Sequence, residues 1–169
     1  LQMDGIGQAF QTREVHRAIE AGQLGRIAVT VFQWSDAENQ ALSTPWTVID
    51  GPASTNAFAQ KMFSIQRQLA EGGTAIGAAL QFAAAAATAA PFTALRRVID
   101  ISSDGRNNRG EIVEVARDEV IARGITINGL PIMLKRPNAA NMDLEDLDIY
   151  YEDCVIGGAG SFVVPIKER

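Results

Sequence analysis

The side chains best suited to chemistry in this chain are hydroxyls and carboxylates set beside glycines, and they fall in two short segments. Gly72-Gly73-Thr74 delivers a hydroxyl to the start of an alanine-rich stretch. Ser102-Ser103-Asp104-Gly105 closes an apolar run with two hydroxyls and a carboxylate, and the polar sequence Arg106-Asn107-Asn108-Arg109-Gly110 follows it. Hard oxygen donors with room left for water are what Mg²⁺ or Mn²⁺ requires, and Thr and Asp supply them without the thiols and imidazoles of zinc chemistry. Spacing alone equally permits a plainer reading, in which Thr74 is a helix N-cap and Asp104-Gly105 an ordinary turn between a strand and a helix.

Other chemistries find less support. The single cysteine excludes an internal disulfide framework and a Cys-rich zinc site. Cys154 follows a helical apolar pattern and reads as a small buried hydrophobe without a basic neighbour to activate it. The single histidine, His16, lies between charged neighbours and reads as a solvated helix residue. With no Gly-x-Ser-x-Gly elbow, a Ser/His/Asp hydrolase is poorly supported. A nucleotide- or phosphate-binding enzyme is the alternative from another class, but neither the dinucleotide fingerprint nor the P-loop pattern occurs. The acidic cluster Asp143, Glu145, Asp146 and Asp148 lacks the glycine and distal glutamate of a calcium loop, so it reads as favourable charge at a helix N-terminus. Asp100 falls inside a strand expected to be buried, where its carboxylate needs a backbone amide, a hydroxyl or an Arg as donor. Arg106 and Arg109 either form a rim that attracts an acidic ligand or belong to a solvated turn.

The 15 basic residues against 20 acidic ones give a net charge of −5, which argues against a nucleic-acid or anionic-membrane surface as the main partner. No apolar run of about 20 residues has the strength of a membrane span. No charged-then-apolar leader opens the sequence, and with Leu1 rather than an initiator Met at its head this says little about compartment. At 169 residues the length suits one domain, 1–169, with little left for a linker.

The elements that must position the two segments follow from periodicity. Ile6, Phe10, Val15 and Ile19 recur at near-helical spacing, predicting one helix that stops at Gly22. Arg26 to Trp34 reads as a largely buried strand, and Thr44 to Ile49, with Pro45 near its start, as an edge strand folded back on it. Trp34 and Trp46 belong to this pair as packing residues. Ser54 or Thr55 caps a helix through about Leu69, with Phe58, Met62, Phe63 and Ile65 toward the core. Thr74 to Ala90 is a helix whose small residues suit close packing on a sheet. Then come a strand over Arg96–Ser102, a helix over Glu111–Gly124, a strand over Ile125–Pro131, a helix over Asp143–Val155 and a strand over Ser161–Pro165. That alternation predicts an α/β, doubly wound, mostly parallel sheet with helices on both faces, whose ligands bind beyond the carboxyl ends of the strands.

The segments GRIAVTVFQWS, EGGTAIGAAL and RRVIDISSDGRNNRG resemble the von Willebrand factor A domain, and more closely a bacterial family of uncharacterised proteins with that fold. GITINGLPI and YYEDCVIGG resemble that family too, so the likeness runs over nearly the whole chain. It implies a non-enzymatic protein-binding module with a metal-ion-dependent adhesion site. That site takes an Asp-x-Ser-x-Ser loop after the first strand, a Thr from a second loop and an Asp from a third, and an acidic group of a protein partner completes the coordination. Thr74 matches the second position and Asp104 the third, with Gly72, Gly73, Ser102, Ser103 and Gly105 shaping the loops. No Asp-x-Ser-x-Ser lies near the start of this sequence. The resemblance therefore implies that the first, central strand and its metal loop lie upstream of Leu1, and that Ile166–Arg169 begins a final helix. The cation site is thus incomplete within this sequence, and a metal-free structural interaction domain is a third reading. The resemblance also suggests bacterial export.

Overall fold

The computed structural model describes residues 2–134 and 145–167, which gather into two compact units. One comprises residues 1–33 and 41–68, the other residues 34–40 and 69–169. The expected α/β class stands, with strands that pair two by two.

In the first unit, the single helix expected before Gly22 is two, α1 (Gln2–Phe10) and α2 (Arg13–Ala21). Thr12 causes the break. Its extended backbone stops α1, and its hydroxyl donates to Ala9 O (2.7 Å) and accepts from Val15 N (3.3 Å), capping α2. His16 is half-buried, its Nε2 lying 2.9 Å from Phe10 O, so it is a packed residue of this junction rather than a solvated one.

The long strand expected over Arg26–Trp34 is split into β1 (Ile27–Val29) and β2 (Phe32–Trp34). The buried Thr44 intrudes between them: its Oγ1 accepts from Val31 N (3.0 Å) and its carbonyl accepts from Thr30 Oγ1 (2.8 Å). β2 pairs instead with β3 (Gln40–Leu42), a strand lying between the two strands the sequence suggested. β1 pairs antiparallel with β4 (Thr47–Ile49) in the register Ile27↔Ile49 to Val29↔Thr47, leaving Trp46 outside the strand.

Helix α3 (Pro52–Ser64) starts earlier and ends earlier than expected, because Pro52 is preset for the first helical position. Ser54 is therefore not the N-cap but the third residue, its Oγ accepting from Gly51 N at 3.2 Å. Phe58 and Met62 enter a core with Ile19 and Ile49, and the Phe10 and Phe58 rings meet edge to face at 4.7 Å. Phe63, expected toward the core, is instead exposed.

In the second unit, α4 (Ile76–Ala89) packs its alanine face on α5 (Val113–Ala122). The approach is close enough that a Cβ on Gly77 would lie 2.9 Å from Glu111 O. β5 (Arg97–Ile101) and β6 (Ile125–Gly129) form the parallel pair, in register from Arg97↔Ile125 to Ile101↔Gly129. The strand expected over Ser161–Pro165 is reduced to isolated bridges. Gly129 N donates to Phe162 O (3.0 Å) and Val164 N to Gly129 O (2.9 Å). Ile166, expected to open a helix, bridges to Ile132. The last expected helix is α6 (Leu147–Tyr150), which widens into a π-helical turn over Tyr151–Val155; its expected start at Asp143 lies outside the described residues.

Leu130 N donates to Ile101 O at 2.9 Å, so the main-chain groups of Arg97, Ile99 and Ile101 face β6. By the alternation of a strand, those of Val98 and Asp100 face the opposite edge, where no described strand pairs with them. Asp100 is consequently exposed rather than buried as expected, and its donor is a side-chain amide, Asn128 Nδ2, at 2.9 Å.

Candidate functional site

The two loops singled out in the sequence meet in the second unit. Thr74 N donates to Asn108 Oδ1 (2.8 Å) and Asn108 N donates back to Thr74 O (2.9 Å), a reciprocal pair that clasps residue 74 to the loop after β5. A Cβ on Gly105 would stand 3.6 Å from Thr74 Oγ1, so the Thr74 hydroxyl faces the turn that carries Asp104. Thr74 Oγ1 has no hydrogen bond to a described residue, and Asp104 is exposed.

The plainer reading of Thr74 as a helix N-cap does not hold. Ala75 is the N-cap of α4 and offers no side-chain oxygen. Asn107 does that work from the other loop: its Oδ1 accepts from Gly77 N (3.3 Å) and its Nδ2 donates to Glu111 O (3.0 Å). Asn107 and Asn108 are thus the fasteners of the site, not part of a solvated turn. The sequence signal for them was two adjacent amides in the loop after a strand, each a side chain that both donates and accepts.

The glycines and serines of the two loops lie as follows. Arg109 lies across Gly73, where a Cβ would collide with its Cγ. Gly72 lies against Asp36 and Ser35, its Cβ position 3.5 Å from Asp36 Cβ and 3.6 Å from Asp36 Oδ2. This hairpin turn escaped the sequence reading because nothing local to Ser35-Asp36 marks it as a neighbour of residue 72. Ser102 is half-buried, whereas Ser103 is buried, donating to Gly105 O (2.8 Å) and lying 2.6 Å from the Tyr151 hydroxyl.

Tyr150 reaches the same loop, its hydroxyl accepting from Asn107 N at 3.2 Å, and the Arg106 guanidinium lies over its ring, 5.3 Å from the centroid. Burial pushes both phenols above their ordinary range. Arg106, Tyr150, Ile149, Asp146, Asp153 and Cys154 line a cavity of about 260 Å³. Cys154 is half-buried rather than enclosed, and burial together with a hydrogen bond to Glu114 pushes its thiol up, away from reactivity. Of the acidic cluster, Asp143 lies outside the described residues and Glu145 and Asp146 are exposed in a turn. Asp148, in the first turn of α6, accepts from Lys167 Nζ at 2.9 Å, which holds its carboxyl below the ordinary value.

Among the described residues no three His, Cys, Asp or Glu side chains gather as a metal site. Thr74 and Asp104 are two oxygen donors on adjoining loops, which fits part of a hard-cation site and leaves the remaining ligands to be supplied.

The fold is von Willebrand factor A-like, and solved structures share it. A proximal thread matrix protein 1 from the mussel byssus, described with a zinc-occupied MIDAS motif, matches with a TM-score of 0.61 at 13% identity over 99% of this chain and 39% of its own. An aerotolerance-related membrane protein from Bacteroides fragilis matches with a TM-score of 0.57 at 20% identity over 97% of this chain and 81% of its own. BatB, a conserved hypothetical protein from Bacteroides thetaiotaomicron, matches with a TM-score of 0.57 at 16% identity over 97% and 80%. The chain spans about two-fifths of the mussel protein's length. It belongs to the bacterial family described as protein of unknown function DUF1194, whose model matches residues 1–169. No curated protein matches. Among the described residues no helix is long and apolar enough to cross a membrane.

Proposed function

We propose that this domain is a non-enzymatic protein-binding module in which Thr74 and Asp104 contribute to a divalent cation site for Mg²⁺ or Mn²⁺, completed by an acidic group from a protein partner. The observation that carries the reading is the Thr74–Asn108 clasp, which sets an uncommitted hydroxyl against the Asp104 turn. A cation bound there would supply a fixed positive charge for a partner's carboxylate. Gly73 and Gly105 let the loops approach, and Ser103 steadies the turn between them.

The missing ligands are assigned to an Asp-x-Ser-x-Ser loop upstream of Leu1, at the end of a strand that pairs with the outer edge of β5. Support comes from the main-chain groups of Val98 and Asp100, which no described strand pairs, and from Val98 itself, 41% exposed. On this reading residues 1–169 are the larger part of one domain. The same reading places the domain outside the cytoplasm, in keeping with neighbours described as a membrane protein and a byssus protein.

The test is a thermal melt of the upstream-extended chain with and without Mn²⁺. At a hundredfold excess over Kd, binding stabilises by about 2.7 kcal/mol, a rise of several degrees in Tm. Thr74→Ala and Asp104→Ala should each abolish most of the rise. A rise unchanged in both variants removes these residues as ligands, and no rise in the extended wild type favours a metal-free interaction domain.

A further inference from the structure

We infer that the phenol hydroxyls of Tyr150 and Tyr151 position the Asp104 turn from its two sides, acting on the cation site through the loop without touching the ion. The inference rests on the reading of Thr74 and Asp104 as ligands. Successive side chains on an α-helix diverge by about 100°, so neighbours do not ordinarily serve one short loop. Here the α-helix passes into a π-helical turn between these two residues, and their rings stand 6.4 Å apart at 75°. Such π insertions recur at functional sites. The Tyr151 hydroxyl grips Ser103, the residue before Asp104, and the Tyr150 hydroxyl grips Asn107, three residues after it.

Proton accounting gives the Tyr151 bond a direction. Ser103 Oγ has one hydrogen, and its contact with the Gly105 carbonyl, an acceptor only, uses it. Tyr151 must therefore donate to Ser103, making a relay from phenol to hydroxyl to the carbonyl of Gly105. Tyr151 is 0% exposed, so water does not substitute for this partner. Phenylalanine would fill the same space without burying a hydroxyl, which makes the polar atom, not the ring, the feature to explain. Tyr150 accepts the Asn107 amide, and Asn107 in turn holds the first turn of α4. The two phenols thus fix both shoulders of the turn that presents Asp104.

The experiment compares Tyr150→Phe and Tyr151→Phe with wild type in the full-length protein, reading Mn²⁺ affinity by calorimetry and the Mn²⁺ electron paramagnetic resonance line shape. Outer partners of metal ligands typically carry 10- to 100-fold in affinity, so each variant should bind about tenfold more weakly and broaden the resonance. Phe58→Leu, in the other unit's core, lowers stability without touching the loop and should leave affinity unchanged. Wild-type affinity in both phenylalanine variants overturns the inference. If wild type itself binds no Mn²⁺, the ligand reading falls instead, and exchange of the Asn107 amide decides the brace. Acceleration of tenfold or more in Tyr150→Phe sustains it, and an unchanged rate overturns it.

Discussion

β5 and β6 are both five residues long, lie side by side in parallel register, and differ in a way that inverts their composition. β6 carries Thr126 and Asn128, yet every one of its residues is buried, those two at 5% and 4% exposure. β5, RVIDI, carries three aliphatic residues to the two of β6, yet one of them, Val98, is 41% exposed. Position in the sheet decides this, not hydrophobicity. β6 has β5 on one edge and the bridges to residues 157 and 163 on the other, and the π turn and α5 lie against it. Its polar side chains are paid for by specific partners: Thr126 donates to Ala159 O (3.2 Å), while Asn128 donates to Asp100 and accepts from Phe162 N (3.3 Å). Among the described residues β5 pairs with β6 alone. An apolar residue left outside beside polar residues held inside follows from this difference in neighbours.

The contrast breaks most readily at Gly129. A side chain there would collide with the Tyr151 ring, so Gly129→Val should cost about 3 kcal/mol or more, lowering Tm by roughly 10 °C or preventing folding, as a circular-dichroism melt would record. Asn128→Ala should come next. It leaves Asp100 and the Phe162 amide without a partner, at a cost of about 2–3 kcal/mol by urea denaturation. Val98→Thr on the open edge should change stability by less than about 0.5 kcal/mol in residues 1–169. In an upstream-extended chain the same substitution should cost about 1 kcal/mol or more. Equal effects in the two chains would mean that no added strand covers Val98.

A similarly small effect belongs to the tether of the segment on the far edge of β6. Lys167 pairs with Asp148 just beyond the Ile166 bridge. The partly exposed pair is worth about 0.2–1 kcal/mol, and Lys167→Met should lose it at neutral pH. Because Asp148 titrates below its ordinary value, this stability is present above the usual carboxylate range and vanishes as pH falls through the folded value. Melts of wild type and variant should therefore differ at pH 7 and converge near pH 2.

The legible parts of the sequence were those where one element's own residues decide. The alternating apolar runs marked β5 and β6, and Gly72-Gly73-Thr74 and Ser102 to Gly105 were recognisable as loops able to hold oxygen donors. What stayed hidden depended on residues far apart in sequence. Thr44 divides the strand expected over Arg26–Trp34 from more than ten positions away, and no local pattern announces that. Asp100 looked buried because of the aliphatic residues around it, but its carboxylate is exposed and held by the amide of Asn128, 28 positions further on. Asn107, Asn108, Tyr150 and Tyr151 drew no notice as site residues because amides in a turn and tyrosines on a helix are ordinary until the bonds between them are seen.

The two bonds between Thr74 and Asn108, with Asn107 fastened to Gly77, also make the two loops and the front of α4 one mechanical part. A pull on the Asp104 turn would not be absorbed by a slack loop. It would travel along the clasp into the axis of a 14-residue helix, so a partner tugging at the site would load the body of the domain.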